Sequence, residues 1–307
     1  MKRRRSLYLM AVLVLGALVA GGVTPGLATT DLREAASASK PEDLQEVGKQ
    51  LNNPVSSIWN ITTQSNMTFL KGELSPAYRG QFTFNFQPVL PIPLTSKWNL
   101  IPRPVIPLLT SPFISGVNFG AREAEWSRTG GIGDIAFVTL LSPNIPRVII
   151  GFGPTFIFPT ATSYHLGQGK MQIGPAVVLG FVSKKWVGLI LAQNWWSVSG
   201  TPRKPSINQM NLQYVLVRML PGAWQIQTTP NILINWNANK VGNAVTFPLG
   251  IGVGRTFRVN PGMPPISVAL EFQWMPVYPE DFGQRFNIRF TFKPVLPNLV
   301  KKPLFER

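Results

Sequence analysis

Apolar and polar residues alternate with a period of two along most of this chain, and a helical period is confined to one short stretch. From Pro41 to Asn52 a proline opens the pattern, Glu42 and Asp43 occupy the first turn, and Leu44, Val47 and Leu51 share a face. That arrangement predicts a short helix, stopped by Asn53-Pro54. From Ser57 to Pro297 the pattern resolves instead into twelve segments, starting near Ile58, Tyr78, Lys97, Gly131, Arg147, Lys170, Trp186, Ile207, Trp224, Ala244, Ile266 and Arg285. Each is about ten to sixteen residues long and bounded by turn signals, as expected of strands.

The alternation is strict. Ile266, Val268, Leu270, Phe272 and Trp274 face one way against Ser267, Ala269, Glu271 and Gln273. Trp224, Ile226, Ile232, Ile234 and Trp236 oppose Gln225, Gln227, Thr229, Asn231 and Asn235, all read as one strand. Phe286, Ile288, Phe290 and Phe292 oppose Asn287, Arg289 and Thr291. A soluble sandwich or lipocalin-like barrel would also alternate. Its wet face, however, would carry Lys and Glu rather than Gln, Asn, Thr and Gly, and its strands would run about five or six residues. A bilayer-crossing strand needs roughly 9–11 residues, an apolar outer face with aromatic girdles and a polar lining. The pattern therefore predicts an all-β, transmembrane, antiparallel up-and-down barrel of about twelve strands. Trp98, Trp224, Trp236 and Trp274 are expected at lipid or its interface.

Connection lengths agree with this topology. The turns at 91–96, 142–146, 183–185 and 221–222 are short, whereas 111–130, 160–169 and 277–283 are expected to be longer outer loops; 255–265 is long where a short turn belongs. Three regions result: a signal peptide over 1–28, with basic Lys2-Arg3-Arg4-Arg5, an apolar Leu7 to Ala20 run and small Gly26-Leu27-Ala28; a periplasmic segment over 29–56 that could act as a plug; and the barrel over 57–307.

Composition narrows the chemistry. Only 14% of the 307 residues are charged, against roughly 25% in a soluble domain, and the formal net charge is +16. The bases are scattered in an exported chain, so nucleic acid is not an expected partner. There is no cysteine, which excludes a thiol nucleophile, a disulfide scaffold and an acylated-cysteine anchor. No acid lies between Asp134 and Glu271, and His165 is the only histidine, in a loop beside Tyr164. No enzyme, catalytic residue, metal site or cofactor is expected from so sparse a set. Gly250, Gly252 and Gly254 recur with a strand's period and mark inward-facing positions rather than a phosphate loop.

The charges inside strands are assigned to the lumen and the solute pathway: Arg79, Arg103, Asp134, Arg255, Glu271 and Arg289. Arg218 shares parity with Leu216 and is placed outward, snorkelling at an interface. A final loop centred on Glu280 sets the last hairpin's register, predicting Glu271 opposite Arg289, Trp274 opposite Phe286 and Val268 opposite Phe292.

Several pieces resemble a family of exported barrels, the outer-membrane proteins associated with the meta-cleavage pathway of phenol degradation, often labelled transporters. They are Leu51-Asn52-Asn53-Pro54-Val55, Asn85-Phe86-Gln87-Pro88-Val89, Trp98-Asn99-Leu100-Ile101-Pro102-Arg103, Gly131-Ile132-Gly133-Asp134 and Gly153-Pro154 with Phe158-Pro159-Thr160-Ala161. The resemblance spans about Leu51 to Pro297 and departs at Ser163-Tyr164-His165, where the family tends toward acids. It implies an outer-membrane barrel and small-molecule passage, with no substrate to carry over. The resulting expectation is an outer-membrane channel or transporter for a small, anionic or aromatic molecule, the alternative being a closed barrel with a structural or surface-binding role. Its expected partners are outer-membrane lipid, the solute and, during insertion, the barrel-assembly machinery; oligomeric state stays open.

Overall fold

A computed structural model of the chain describes residues 41–118, 123–300 and 302–305. The signal peptide expected over 1–28 lies outside the described residues. One helix, α1 (Pro41–Leu51), precedes fifteen strands. In chain order these are β1 (Asn60–Gly72), β2 (Ser75–Val89), β3 (Ile92–Pro93), β4 (Trp98–Asn118), β5 (Glu123–Ile132), β6 (Ile135–Pro143), β7 (Val148–Phe158) and β8 (Lys170–Val182). The remainder are β9 (Trp186–Gly200), β10 (Asn208–Leu220), β11 (Trp224–Thr228), β12 (Asn231–Asn235), β13 (Val245–Phe257), β14 (Ile266–Val277) and β15 (Gly283–Pro294).

All strands join one antiparallel sheet, which β15 closes by pairing with β1, Thr63 opposite Phe292. Two of the twelve wall positions are interrupted strands. β5 and β6 both pair with β4 and are separated at Gly133-Asp134, while β11 and β12 both pair with β10 and are separated at Thr229-Pro230. The segment 224–237, expected as one strand, is thus broken by a proline that cannot donate to the ladder, yet its register against β10 continues across the gap. β3 is a two-residue addition beside β4.

The expected outer loop over 111–130 is corrected. β4 and β5 continue as a paired hairpin from Leu108 opposite Ile132 to Asn118 opposite Glu123. Its Ser, Pro and Gly content reads as a loop, but the cross-strand ladder supplies the pairing that local propensity does not. The last hairpin has the expected register: Glu271 faces Arg289, Trp274 faces Phe286 and Val268 faces Phe292.

The outer wall is apolar. Leu270, Phe272, Ile288, Phe290, Ile251 and Val253 are exposed on it, and Trp98, Trp224, Trp236 and Trp274 are exposed with them. A surface of this kind is stable only against hydrocarbon. Buried positions lie inside the barrel and divide it. β1, β2, β11, β14 and β15 turn Asn66, Thr68, Gln87, Gln225, Gln227, Gln273, Asn287 and Thr291 inward. The opposite wall does not follow the expected polar lining: Ile101, Val138, Leu140, Ile149, Val178, Leu189, Val217 and Met219 form a buried apolar cluster. Strands such as β8 are consequently apolar on both faces, with Val178 inside and Leu179 outside.

The N-terminal segment enters this interior. Val55 joins the apolar cluster, and Leu51 and Asn52 are buried. Gly48 makes the closest approach: a Cβ there would lie 2.8 Å from Thr256 Oγ1 and 2.9 Å from the Met219 methyl, so the helix sits this deep only because the position is glycine.

Candidate functional site in the barrel lumen

The polar half of the lumen is organised around Glu271, which is 1% exposed. β13 makes room for it. A Cβ on Gly250 would stand 2.7 Å from its Oε1, and one on Gly252 would stand 2.8 Å from its Cβ. Gly252 is its direct cross-strand partner, so the inward glycine row leaves space for a carboxylate. Four donors converge on that carboxylate. Oε1 accepts from the Thr229 backbone N–H at 3.0 Å and Gln273 Nε2 at 2.9 Å, and Oε2 accepts from Thr229 Oγ1 at 2.6 Å and Gln227 Nε2 at 3.1 Å. The break between β11 and β12 frees the Thr229 amide for this bond.

Arg289 is buried beside it and bonded elsewhere. Its Nε donates to Asn66 Oδ1 at 2.9 Å and its Nη1 to the Thr229 carbonyl at 2.9 Å. Asn287 extends the network, donating to Asn66 Oδ1 at 3.1 Å and to Gln273 Oε1 at 2.9 Å. Among the described residues, the ion pairs within 4.0 Å are Lys49 with Glu46, Lys240 with Glu73 and Lys240 with Asp281, all away from this network.

Toward the N-terminal segment lies a cavity of about 70 Å³. Arg103 and Lys293 reach it from β4 and β15, Leu189 and Val215 form its apolar side, and its lining contains no carboxylate. Arg103 Nη2 donates to Gln87 Oε1 at 2.7 Å, while its buried Nε has no acceptor. Lys293 Nζ holds the end of α1, donating to the Leu51 carbonyl at 3.1 Å and to Asn52 Oδ1 at 3.0 Å. Asn52 Nδ2 in turn donates to Gln225 Oε1 at 2.9 Å, tying the helix end to the opposite wall.

The six charges assigned to the lumen thus separate. Glu271 and Arg289 share one network, and Arg103 lies at the cavity. Arg79 sits by the β1–β2 turn, its Nε donating to Ser75 Oγ at 3.1 Å and its guanidinium stacked 4.8 Å from the Trp126 ring. Asp134 holds a loop: Oδ1 accepts from the Ala161 amide at 3.1 Å and Oδ2 from the Gln168 amide at 2.5 Å. Thr160 and Thr162 close the same seam, their hydroxyls accepting from the amides of Ile135 and Ile132 at 2.9 and 3.1 Å. The loop over 160–169 therefore fills the gap between β5 and β6.

Arg255 requires correction. It is exposed, shares the outward parity of Ile251 and Val253, and stacks 5.1 Å from the Trp224 ring, its cross-strand partner. Arg218 does the same over Trp186 at 5.5 Å, on the outward side expected for it. Both are interfacial cations whose aromatic neighbours suit a headgroup region. His165 stacks on Phe113 with centroids 3.9 Å apart and meets Tyr164 edge-on, a packing role in the same loop.

Lys293 is the site residue that sequence reasoning passed over. Its signal was present: it shares inward parity with Asn287, Arg289 and Thr291. The buried Trp195, whose Nε1 donates to Thr155 Oγ1 at 3.1 Å inside the barrel, was passed over likewise.

Closed, twelve-stranded and apolar outside, the fold is that of an outer-membrane β-barrel. The COG4313 outer membrane channel from Pseudomonas putida F1 is similar in structure, with a TM-score of 0.56 and 10% identity over 78% of this chain and 96% of that one. A NanC porin gives a TM-score of 0.45 with 11% identity over 77% and 100% of the two chains. A CymD monoaromatic hydrocarbon channel gives 0.38 with 9% identity over 90% and 94%. No family model and no curated protein sequence matches the chain.

Proposed function

We propose that the protein is an outer-membrane channel for a small anionic molecule. The observation that carries this reading is the cavity between Arg103 and Lys293, a water-accessible space inside a membrane barrel whose lining holds two cations and no acid. Glu271 stands outside that lining, its carboxylate accepting four hydrogen bonds from Thr229, Gln227 and Gln273. The motif resemblance to barrels of aromatic degradation adds aromatic solutes as a second candidate class. In this state α1 and its following turn occupy one end of the lumen, so passage requires that the segment yield.

A closed barrel with a structural role is the competing reading, and the apolar cluster that fills one wall of the interior favours it. Purified protein in planar bilayers separates the two. Discrete conductance steps with a reversal potential set by the anion gradient support the channel, whereas silence at every voltage, with no solute flux into liposomes, supports the closed barrel.

A further inference from the structure

The lumen cavity is two-sided, and its two sides specify a ligand more narrowly than charge alone. On one side Arg103 keeps a buried Nε–H with no acceptor. Lys293, with three donors on its ammonium, uses two of them on the Leu51 carbonyl and Asn52 Oδ1. A buried donor without an acceptor is costly, and Arg103 and Lys293 both line the cavity. On the other side Leu189 and Val215, from β9 and β10, present apolar surface, continuous with the buried cluster. A small inorganic anion would satisfy the cations and leave that surface wet; a neutral apolar molecule would cover it and leave the donors unpaired.

We infer that the cavity is a binding site for a small monocarboxylate with an apolar body, its carboxylate between Arg103 and Lys293 and its hydrocarbon against Leu189 and Val215. This deepens the channel reading by naming the solute class. Lys293 is also the cation that holds α1's last carbonyl and Asn52, so a carboxylate on its third donor would share one ammonium group with the N-terminal segment.

Binding of matched probes to the purified full-length chain in detergent micelles tests this without any need for conduction. Butyrate carries both features, butanol only the apolar one and phosphate only the charge. The expected result is saturable calorimetric binding of butyrate, with butanol and phosphate each at least about tenfold weaker. Arg103→Gln and, separately, Lys293→Gln should each weaken butyrate about tenfold or more, the usual scale for a lost charge-assisted bond. Heat-modifiable gel mobility identifies variants that retain the barrel, and having two single variants keeps the test open should one fail to fold. Phosphate binding as tightly as butyrate, butyrate binding unchanged in a folded variant, or no butyrate binding overturns the inference. A protein that binds butyrate but never conducts retains the site and loses the channel; one that conducts without binding loses only the site.

Discussion

Glu271 and Arg289 stand directly opposite each other on β14 and β15, both buried, and are joined through Thr229 rather than to each other. Thr229 donates its hydroxyl to the Glu271 carboxylate at 2.6 Å and offers its carbonyl to Arg289 at 2.9 Å. The opposite charges are thus each solvated by polar groups of the wall. Such an arrangement holds the lumen rigid without cancelling the field of either charge.

Two substitutions distinguish structural from electrostatic roles here. Thr229→Val removes the hydroxyl and should destabilise the barrel by about 1–3 kcal/mol, read from denaturant unfolding in micelles, because a buried carboxylate loses a donor. Glu271→Gln keeps the shape and removes the charge, and should shift ion selectivity toward anions. Unchanged selectivity would mean that Glu271 serves the wall alone.

Asp134 makes a different prediction, because its two partners are the amides of the 160–169 loop. Asp134→Ala should leave the barrel folded and make that loop more accessible to protease, through the loss of two charge-assisted bonds. Equal cleavage rates in variant and parent would show that Thr160 and Thr162 hold the loop without it.

Arg255→Ala should leave conductance and selectivity unchanged, since the side chain stacks on Trp224 outside the barrel. Its cost is on the order of 0.5–1 kcal/mol, the value of an exposed cation–π contact. A selectivity change as large as that of Glu271→Gln would contradict the outward placement.

The outer loops carry a pH-dependent clamp. Lys240 donates to Asp281 Oδ1 at 2.8 Å and Asn243 Nδ2 donates to Oδ2 at 2.7 Å, and these bonds lower the Asp281 carboxyl below its ordinary 3.8. The same bond to Asp281 raises the Lys240 ammonium above its ordinary 10.5. For the depressed acid, the contribution is complete above 3.8 and is lost as pH falls through the lowered value. For the raised base, it is complete below 10.5 and is lost as pH rises through the raised value. The Asp281 amide, which donates to Asn243 Oδ1, should accordingly keep its hydrogen-exchange protection factor through neutral pH and lose it in strong acid. A factor that is the same at pH 7 and well below the lowered value would show that the clamp does not rest on the charge.

Much of this architecture was legible in the chain because parity and turn position constrain a barrel strongly. The pairing of Glu271 with Arg289 followed from a symmetric final loop and from the requirement that apolar residues face apolar ones. The parity of Arg255 with Ile251 and Val253 points outward, against the expectation that a charge within a strand faces the lumen; near an interface, a long cation beside Trp is equally stable. The role of Asp134 was not legible, since its partners lie 27 and 34 residues away in a loop with no regular pattern. Nor was the apolar half of the lumen. A strand apolar on both faces, such as β8, reads only as lipid-facing until its neighbours are known.

Single-channel recording with and without residues 29–52 decides whether the lumen is a conduit stopped by the N-terminal segment. That deletion removes α1, the Asn52 bond to Gln225 and both acceptors that Lys293 holds. A larger unitary conductance is expected for the truncated barrel, with anion preference retained. Identical conductance in the two proteins, at equal folded fraction, would contradict it.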